Sequence, residues 1–357
     1  MVSAIILAGG YATRLRPLSL TKPKALLPIL GRPLLDYILD SFEKAEINDS
    51  YISLRVMADK ILSYLDGKTE KITPVIEKER LGDAGPLKLI SSRYNLSDDV
   101  LVVYGDIYNE LDYRSLINFH ERKGCDATIV GKTVEDPRRY GVLVTEGDRL
   151  IQIVEKPKNP VSNLINAGVY IFKKKLFEKI DGQSIAKDFL PKLLKDNVCI
   201  SVYRYDGLWM DIGVPADYMR INLELLSLKY PRGYISSDSK ISEKANLIPP
   251  YYIGSGVKID EDVSIYNSII GNLSNINKGV YIEQSILMSN VKVNNYSFIR
   301  DSIISDYSDL GKWVRLDSVI LGDEVVLYDG VFVNKDTIIL PYKEVNESVY
   351  ERGKIIL

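Results

Sequence analysis

Several residue groups in this chain have the types and spacing to handle phosphorylated ligands, and most of them follow a short apolar run. Ile5-Ile6-Leu7-Ala8 leads into Gly9-Gly10-Tyr11-Ala12-Thr13-Arg14. Neighbouring glycines let a backbone approach phosphate oxygens and turn its amide N–H groups toward an anion. Arg14 adds a planar donor fork suited to phosphate. Pro23-Lys24-Ala25-Leu26-Leu27-Pro28 then supplies a lysine set between prolines. The pattern is neither a Walker A loop nor a spaced dinucleotide-binding glycine motif. Taken alone, the glycine pair reads equally well as a turn beside a solvated basic surface.

Carboxylates and sugar-binding residue types come later. Val102-Val103-Tyr104-Gly105-Asp106 ends an apolar run on an aspartate, and Trp209-Met210-Asp211-Ile212-Gly213 offers another. Hard magnesium takes oxygen ligands of this kind, although each aspartate alone also reads as a turn residue. Glu155-Lys156-Pro157 and Asn166-Ala167-Gly168 contain a glutamate and an asparagine able to bond sugar hydroxyls and a lysine able to hold a phosphate. Without further context, Glu155 and Lys156 read as a surface ion pair of small energetic value.

The phosphate site these residues would build must be local. Lys+Arg 46 against Asp+Glu 48 gives the 357-residue chain a net charge of -2. That removes any global electrostatic case for nucleic acid binding. Apolar runs such as Ala4 to Ala8 are too short to span a membrane, and no basic stretch precedes them as in a signal peptide. Cys125 and Cys199 form neither a disulfide framework nor a zinc spacing, so a reducing, cytoplasmic location is expected. The one histidine, His120, ends an apparent helix over residues 112–123 and is expected at the surface, which leaves no serine triad or histidine-rich metal site.

The elements that must position the candidate residues alternate up to about residue 230. Strands are expected at 2–7, 51–56, 72–76, 100–104 and 150–154. Helices are expected at 33–45, 57–65, 84–92, 112–123 and 184–197. Strands separated by helices of this length imply an α/β, mainly parallel sheet covered on both faces. Ligands in such sheets sit at the carboxyl ends of the strands, where the candidate residues fall.

After Tyr230-Pro231-Arg232-Gly233 the period changes. Ile253, Ile270, Leu287, Ile304 and Leu321 lie 17 residues apart, as do Ile259, Ile276, Val293, Leu310 and Leu327, and Ile265, Ile282, Ile299, Leu316 and Val333. One aliphatic residue per short step implies a three-sided solenoid whose stacked coils share one apolar column. Gly254, Gly256, Gly271, Asn272, Gly279, Gly311 and Gly322 are expected at its tight corners. The expected domains are therefore 1–232 and 233–357, with self-association expected through the exposed coil surfaces.

GGYATRLRPLSLTKPKALLPILGRPLL, from Gly9 to Leu35, resembles the signature of sugar-phosphate nucleotidyltransferases, with Ala12 where that family usually has glycine. The coil resembles the left-handed parallel β-helix of hexapeptide-repeat proteins. Together these resemblances imply a Rossmann-like, GT-A-like catalytic sheet followed by a left-handed β-helix. The implied reaction joins a nucleoside triphosphate to a sugar 1-phosphate with loss of pyrophosphate, in the presence of Mg2+. The family resemblance also implies site roles. Ala8, Gly9, Gly10, Thr13 and Arg14 would wrap the triphosphate. Arg14 and Lys24 would stabilise charge as pyrophosphate leaves, and Asp106 and Asp211 would hold the metal. Gly141 (in a YGV segment), Glu155 and Asn166 would contact the sugar, and Lys156 its phosphate.

Glu77-Lys78-Glu79-Arg80-Leu81-Gly82-Asp83-Ala84-Gly85-Pro86-Leu87 resembles a segment of the mannose-1-phosphate guanylyltransferases, which favours GTP, places Glu77 at the base and counts Gly82 among the nucleotide-binding residues. An ionised Glu77 could accept from both donors on guanine's Watson–Crick edge, whereas uracil and thymine offer one. Asp83 stands where threonine is usual, an unfavourable carboxylate near a triphosphate unless it points away or meets metal. Thymidylyl-, uridylyl- and heptose-phosphate guanylyltransferases remain alternatives. So do the non-catalytic gamma and epsilon subunits of the translation guanine-nucleotide exchange complex, which share both domains.

Overall fold

The computed structural model describes residues 2–67 and 72–357. Its internal packing forms two compact units. One contains Met1–Tyr11 with Leu34–Asp211, and the other contains Ala12–Pro33 with Ile212–Leu357. The chain thus leaves the first unit after Tyr11, one residue past the glycine pair, and re-enters it at Leu34.

The first unit is built on a nine-stranded sheet. Thr73–Ile76, Asp49–Leu54, Val2–Leu7 and Asp99–Tyr104 run side by side and parallel. Their burial follows from sequence: Ala4, Ile5, Ile6, Val100, Leu101, Val102 and Val103 are completely buried, as in a strand covered on both faces. Beyond Asp99–Tyr104 the sheet changes sense. Leu164–Lys173 pairs antiparallel with it and with Ala127–Thr133, and Ile200–Tyr205 then runs parallel to Ala127–Thr133. Arg149–Glu155 and Gly141–Glu146 finish the sheet in antiparallel pairing. Helix Leu34–Lys44 buries Leu34, Leu35, Ile38 and Phe42, one face of a helical period. The expected helix near 184–197 is interrupted. Ile185–Phe189 is a π turn, followed by the α-helix Leu190–Lys195. Pro191, without an N–H, sits at the junction.

Two expectations from sequence fail here. His120 is not at the surface but 2% exposed, because helix Tyr113–Lys123 turns Tyr113, Leu116 and His120 inward together. Its ring nitrogens meet the Thr128 hydroxyl at 2.7 Å and the Asp99 carboxylate at 3.1 Å. Cys125 and Cys199 are joined in a disulfide across 74 residues. Their strands explain the meeting: Ala127 and Ile200 are register partners, so the residues just before each strand start are brought alongside.

The second unit is a stack of parallel strands, as expected of a left-handed β-helix. Ile253, Ile270, Leu287, Ile304 and Leu321 pair in register from coil to coil, and so do the other two aliphatic series. All fifteen residues belong to one buried core, none more than 4% exposed. The step then lengthens: Leu321 pairs with Ile339 and Leu327 with Val345.

The corners follow expectation at Gly256 and Gly279, which take positive φ, but left-handed backbone falls mostly on residues other than glycine, such as Leu273, Asn290, Tyr307 and Glu324 at one corner. Each donates its amide to the preceding coil, Leu273 to Ser255 and Asn290 to Asn272 at 2.8 Å, which holds the unfavourable conformation in place. Gly271 serves a different need, because a Cβ there would stand 2.6 Å from the Met288 carbonyl oxygen of the next coil. Among the described residues no helix is long and apolar enough to cross a membrane.

Ile299 is fully buried between Ile282 and Leu316. Ile299→Ala is expected to destabilise the coil by about 2–5 kcal/mol, read as a lowered denaturant midpoint with an unchanged far-ultraviolet spectrum before unfolding.

Candidate functional site

In the first unit the site residues follow directly from the strand ends. Leu7 is the register partner of both Ser53 and Tyr104, so three parallel strands finish level. The Ala8 amide donates to the Ser53 carbonyl at 3.0 Å and the Gly105 amide to the Leu7 carbonyl at 2.9 Å. A Cβ on Gly105 would stand 3.2 Å from that of Ala8. Asp106 therefore begins beside the Ala8-Gly9-Gly10 turn.

Glu77 follows strand Thr73–Ile76 and anchors its own amide on the Leu54 carbonyl at 2.8 Å. Its carboxylate is buried and accepts from the Ser53 hydroxyl at 2.7 Å and from the Leu81 amide. Burial pushes its pKa up, while those two donors and the charge of Arg55 oppose the shift. A Cβ at Gly9 would lie 2.7 Å from Glu77 Oε1, so glycine permits this approach. Gly10 faces open space. Arg55 extends over Tyr11, its guanidinium carbon 5.1 Å from the ring centroid, and donates to the Tyr11 hydroxyl at 3.2 Å.

Gly82 adopts φ +73°, and a side chain there would meet the Gln183 carbonyl oxygen at 2.0 Å. The amides of Asp83 and Ala84 both donate to that oxygen, at 2.8 and 3.1 Å. Asp83 turns its carboxylate into the sheet unit, accepting from the Ile185 amide at 2.8 Å and from the Tyr104 hydroxyl at 2.5 Å. Burial raises its pKa, with the two donors working against the rise. The carboxylate that sequence alone set near a triphosphate thus has both oxygens engaged elsewhere.

Trp209–Asp211 pairs antiparallel with Ile107–Asn109, placing Asp211 opposite Ile107 and so next to Asp106. Both aspartates are half-buried. Among the described residues, no group of three or more histidine, cysteine or acidic side chains forms a closed metal cage. Two neighbouring carboxylates, leaving other ligand positions to substrate oxygens and water, match how magnesium is held in phosphoryl-transfer sites.

The sugar-type residues gather beside these aspartates. Glu155 is the register partner of Gly141, and a Cβ on Gly141 would stand 2.9 Å from Glu155 Oε2 and 3.6 Å from the Asn166 Cβ. Lys156 Nζ lies 3.2 Å from Glu155 Oε1 and is 54% exposed, leaving its ammonium accessible to an anion. The Trp209 indole donates to the Ala167 carbonyl at 2.9 Å, and a side chain on Gly168 would collide with Tyr104 and Ile107. Strand Leu164–Lys173, through Asn166-Ala167-Gly168, is thereby packed on both aspartate segments.

Ala8, Gly9, Gly10, Glu77, Gly82, Asp106, Asp211, Gly141, Glu155, Lys156 and Asn166 all lie in this first unit. Thr13, Arg14 and Lys24 lie in the second. Thr13 and Arg14 are exposed on the short helix Thr13–Leu15, and Lys24 opens the turn Lys24–Leu26. Ala12, at the usual glycine position, is left-handed with φ 47° and ψ 39°. Its carbonyl accepts from the Ser19 hydroxyl at 2.8 Å and the Leu15 amide at 3.0 Å. The segment is fastened to the later chain. Lys22 forms an ion pair with Asp306, Tyr218 donates to the Pro28 carbonyl at 2.7 Å, and the Leu30 amide donates to Asn222 Oδ1 at 2.9 Å.

Sequence reasoning did not single out Ser53, Arg55 or Tyr104. For Arg55 a signal existed, a charged residue directly after an apolar strand, the same cue that marked Asp106. Nothing local distinguishes the other two.

Comparison with known proteins matches residues 3–227 to the nucleotidyl transferase family and residues 247–356 to the GMPPB C-terminal domain. The chain is 62% identical to the "Putative mannose-1-phosphate guanyltransferase" of Sulfolobus acidocaldarius, with both chains covered completely. It is 34% identical to the mannose-1-phosphate guanyltransferase of Emericella nidulans over 98% of each chain. Among solved structures, HddC from Yersinia pseudotuberculosis superposes with a TM-score of 0.55 at 32% identity, covering 63% of this chain and all of that one.

Ala12→Gly removes a Cβ from a left-handed residue, so it is expected to stabilise the second unit by about 1 kcal/mol. The check is a rise in its denaturant midpoint.

Proposed function

The chain belongs to the nucleotidyltransferase family, and from that membership we propose that it transfers a guanylyl group from GTP to mannose 1-phosphate, giving GDP-mannose and pyrophosphate. The observation that supports this reading best is the level strand edge. There the Gly9 backbone lies against Glu77, the Asp106 and Asp211 pair lies beside it, and Glu155, Lys156 and Asn166 stand next to the aspartates. The full-length relatives named for this reaction support the choice of substrates.

In this proposal a phosphate oxygen of mannose 1-phosphate attacks the α-phosphorus of GTP. The new O–P bond forms as the bond to the β-phosphate oxygen breaks, and pyrophosphate departs with that electron pair. No enzyme nucleophile is required. The Gly9 and Gly10 amides face the triphosphate. Arg14 and Lys24 supply the positive charge that meets the departing pyrophosphate. Asp106 and Asp211 would hold magnesium, which when bound neutralises triphosphate charge and fixes the α-phosphate for in-line attack. Lys156 holds the sugar phosphate, and Glu155, Asn166 and the Gly141 backbone hold the sugar.

Base choice is assigned to Glu77. A carboxylate has roughly four acceptor positions, and Ser53 and the Leu81 amide use two. Those left can accept from the two donors of a guanine edge. A pyrimidine with one donor flanked by carbonyls would leave acceptor facing acceptor.

Pyrophosphate release measured with magnesium across four nucleoside triphosphates and several hexose 1-phosphates should be fastest for GTP with mannose 1-phosphate. Absence of release in every combination would sink the enzymatic reading. Glu77→Gln should narrow the kcat/KM preference for GTP over dTTP and UTP by about tenfold or more, and an unchanged preference would remove Glu77 from base selection. Asp106→Asn and Asp211→Asn should each lower kcat on the order of 10²–10³-fold, with the thermal midpoint near that of the wild type.

A further inference from the structure

Arg55 has no role in the chemistry proposed above, yet it stands level with Glu77 at the edge assigned to the base. Leu54 and Ile76 are register partners, and Arg55 and Glu77 are the next residue on each strand. The Glu77 amide donates to the Leu54 carbonyl at 2.8 Å, so the two segments are still side by side as they leave the sheet. Gly9 shows where their side chains go. A Cβ there would stand 2.7 Å from Glu77 Oε1 and 3.5 Å from the Arg55 Cβ, so both side chains rise on the same side of the glycine turn.

Strand order sets Arg55 apart from the metal-binding pair. The strands run Thr73–Ile76, Asp49–Leu54, Val2–Leu7, Asp99–Tyr104 across the sheet. Arg55 therefore lies between Glu77 and the glycine turn, and Asp106 lies beyond that turn on its other side. The guanidinium is also held in place. Its carbon is 5.1 Å from the Tyr11 ring centroid, and Nη2 donates to the Tyr11 hydroxyl at 3.2 Å. Tyr11 is 55% exposed and Arg55 half-buried, so the pair stands at the mouth of the edge. Arginine has five N–H donors in one plane, and packing on an aromatic face restricts how that plane turns.

An acceptor and a planar donor fork thus leave neighbouring strands, whose backbones in a sheet lie about 4.8 Å apart. Among the four common bases only guanine offers the complement along one edge, two donors at N1 and N2 followed by two acceptors at O6 and N7. Adenine presents an amino group in place of O6 and would set donor against donor. We infer that Arg55 is a second specificity-determining residue for the nucleotide, donating to guanine O6 and N7 while Glu77 accepts from N1–H and N2–H. The inference rests on the GTP reading and on Glu77 at the base. A bidentate arginine on O6 and N7 is also how proteins read guanine in the major groove of DNA.

Nucleotide analogues separate this role from others that an arginine could have. 7-Deaza-GTP lacks only the N7 acceptor, and ITP lacks only the N2 amino group. With magnesium and saturating mannose 1-phosphate, the wild-type kcat/KM for 7-deaza-GTP should be about 10-fold below that for GTP. Arg55→Ala should lower kcat/KM for GTP and ITP together by about 10-fold or more. It should also bring 7-deaza-GTP within about twofold of GTP and narrow the preference for GTP over ATP. The KM for mannose 1-phosphate should stay within about twofold. Arg55→Lys keeps a charge beside Glu77 without the fork, and it should match Arg55→Ala toward 7-deaza-GTP.

Equal use of GTP and 7-deaza-GTP by the wild-type protein would overturn the proposal. So would an equal fall for GTP, ATP and UTP in Arg55→Ala, the mark of a phosphate or ribose contact. A collapsed GTP-to-ITP ratio in that variant would assign Arg55 an effect through Glu77 instead, and full restoration by Arg55→Lys would reduce it to a charge. Should Arg55→Ala fail to fold, the wild-type comparison and Arg55→Lys decide. A wild-type protein that releases no pyrophosphate from GTP sinks the functional reading and this inference together. One that turns over GTP but fails these criteria sinks the inference alone.

Discussion

The first unit depends on one constraint: parallel strands that stop at the same level. Strands Asp49–Leu54, Val2–Leu7 and Asp99–Tyr104 are locked in register, with Leu7 between Ser53 and Tyr104. Because parallel hydrogen bonding fixes that register along the whole strand, the residues that follow each end emerge along one edge. Ala8-Gly9-Gly10, Arg55 and Gly105-Asp106 are those residues, and Glu77 joins them one strand further along. A chain of net charge -2 has no general attraction for a polyanion, so this concentration of amides and charges at one edge matters.

The same edge tolerates carboxylates only where each is provided for. Glu77 has Ser53, the Leu81 amide and the nearby charge of Arg55. Asp83 has Tyr104 and the Ile185 amide. A buried carboxylate without such donors would be strongly unfavourable beside anionic substrates. Asp106 and Asp211 are only half-buried, in keeping with groups that exchange water for a cation.

The second unit solves a different problem. Each coil is too thin to bury its own aliphatic residues, so stability comes from stacking, and every coil must present the next with matching hydrogen bonds. Amides at the left-handed corners donate across the stack, and Ser268, Ser285 and Ser302 each accept from the amide of the corresponding residue one coil later. Contacts from Lys22, Pro28 and Leu30 join this unit's early segment, which carries Arg14 and Lys24, to the later chain. The rigidity of the stack is therefore available to a loop far earlier in sequence.

Much of this was legible in the chain itself. A 17-residue aliphatic period can be buried in few ways, and the pairing from Ile253 to Leu321 follows it residue by residue. The apolar runs ending at Leu7 and Tyr104 were equally plain, since hydrophobic pattern and turn chemistry are local properties. Other features depended on neighbours distant in sequence and had no local mark. His120 reads as a helix end, and only packing against Thr128 and Asp99 turns it inward. Cys125 and Cys199 meet because two strands 73 positions apart share a register. Glycine suggested tight corners, but inter-coil hydrogen bonds let Leu273 and Tyr307 adopt left-handed backbone, while Gly271 makes room for the neighbouring coil. Asp83 looked like a repulsive charge, and its orientation toward Tyr104 was settled by contacts about 20 and 100 residues away. Periodicity and motif chemistry are written along the chain, whereas burial, partner and direction of a side chain arise only when distant segments close around it.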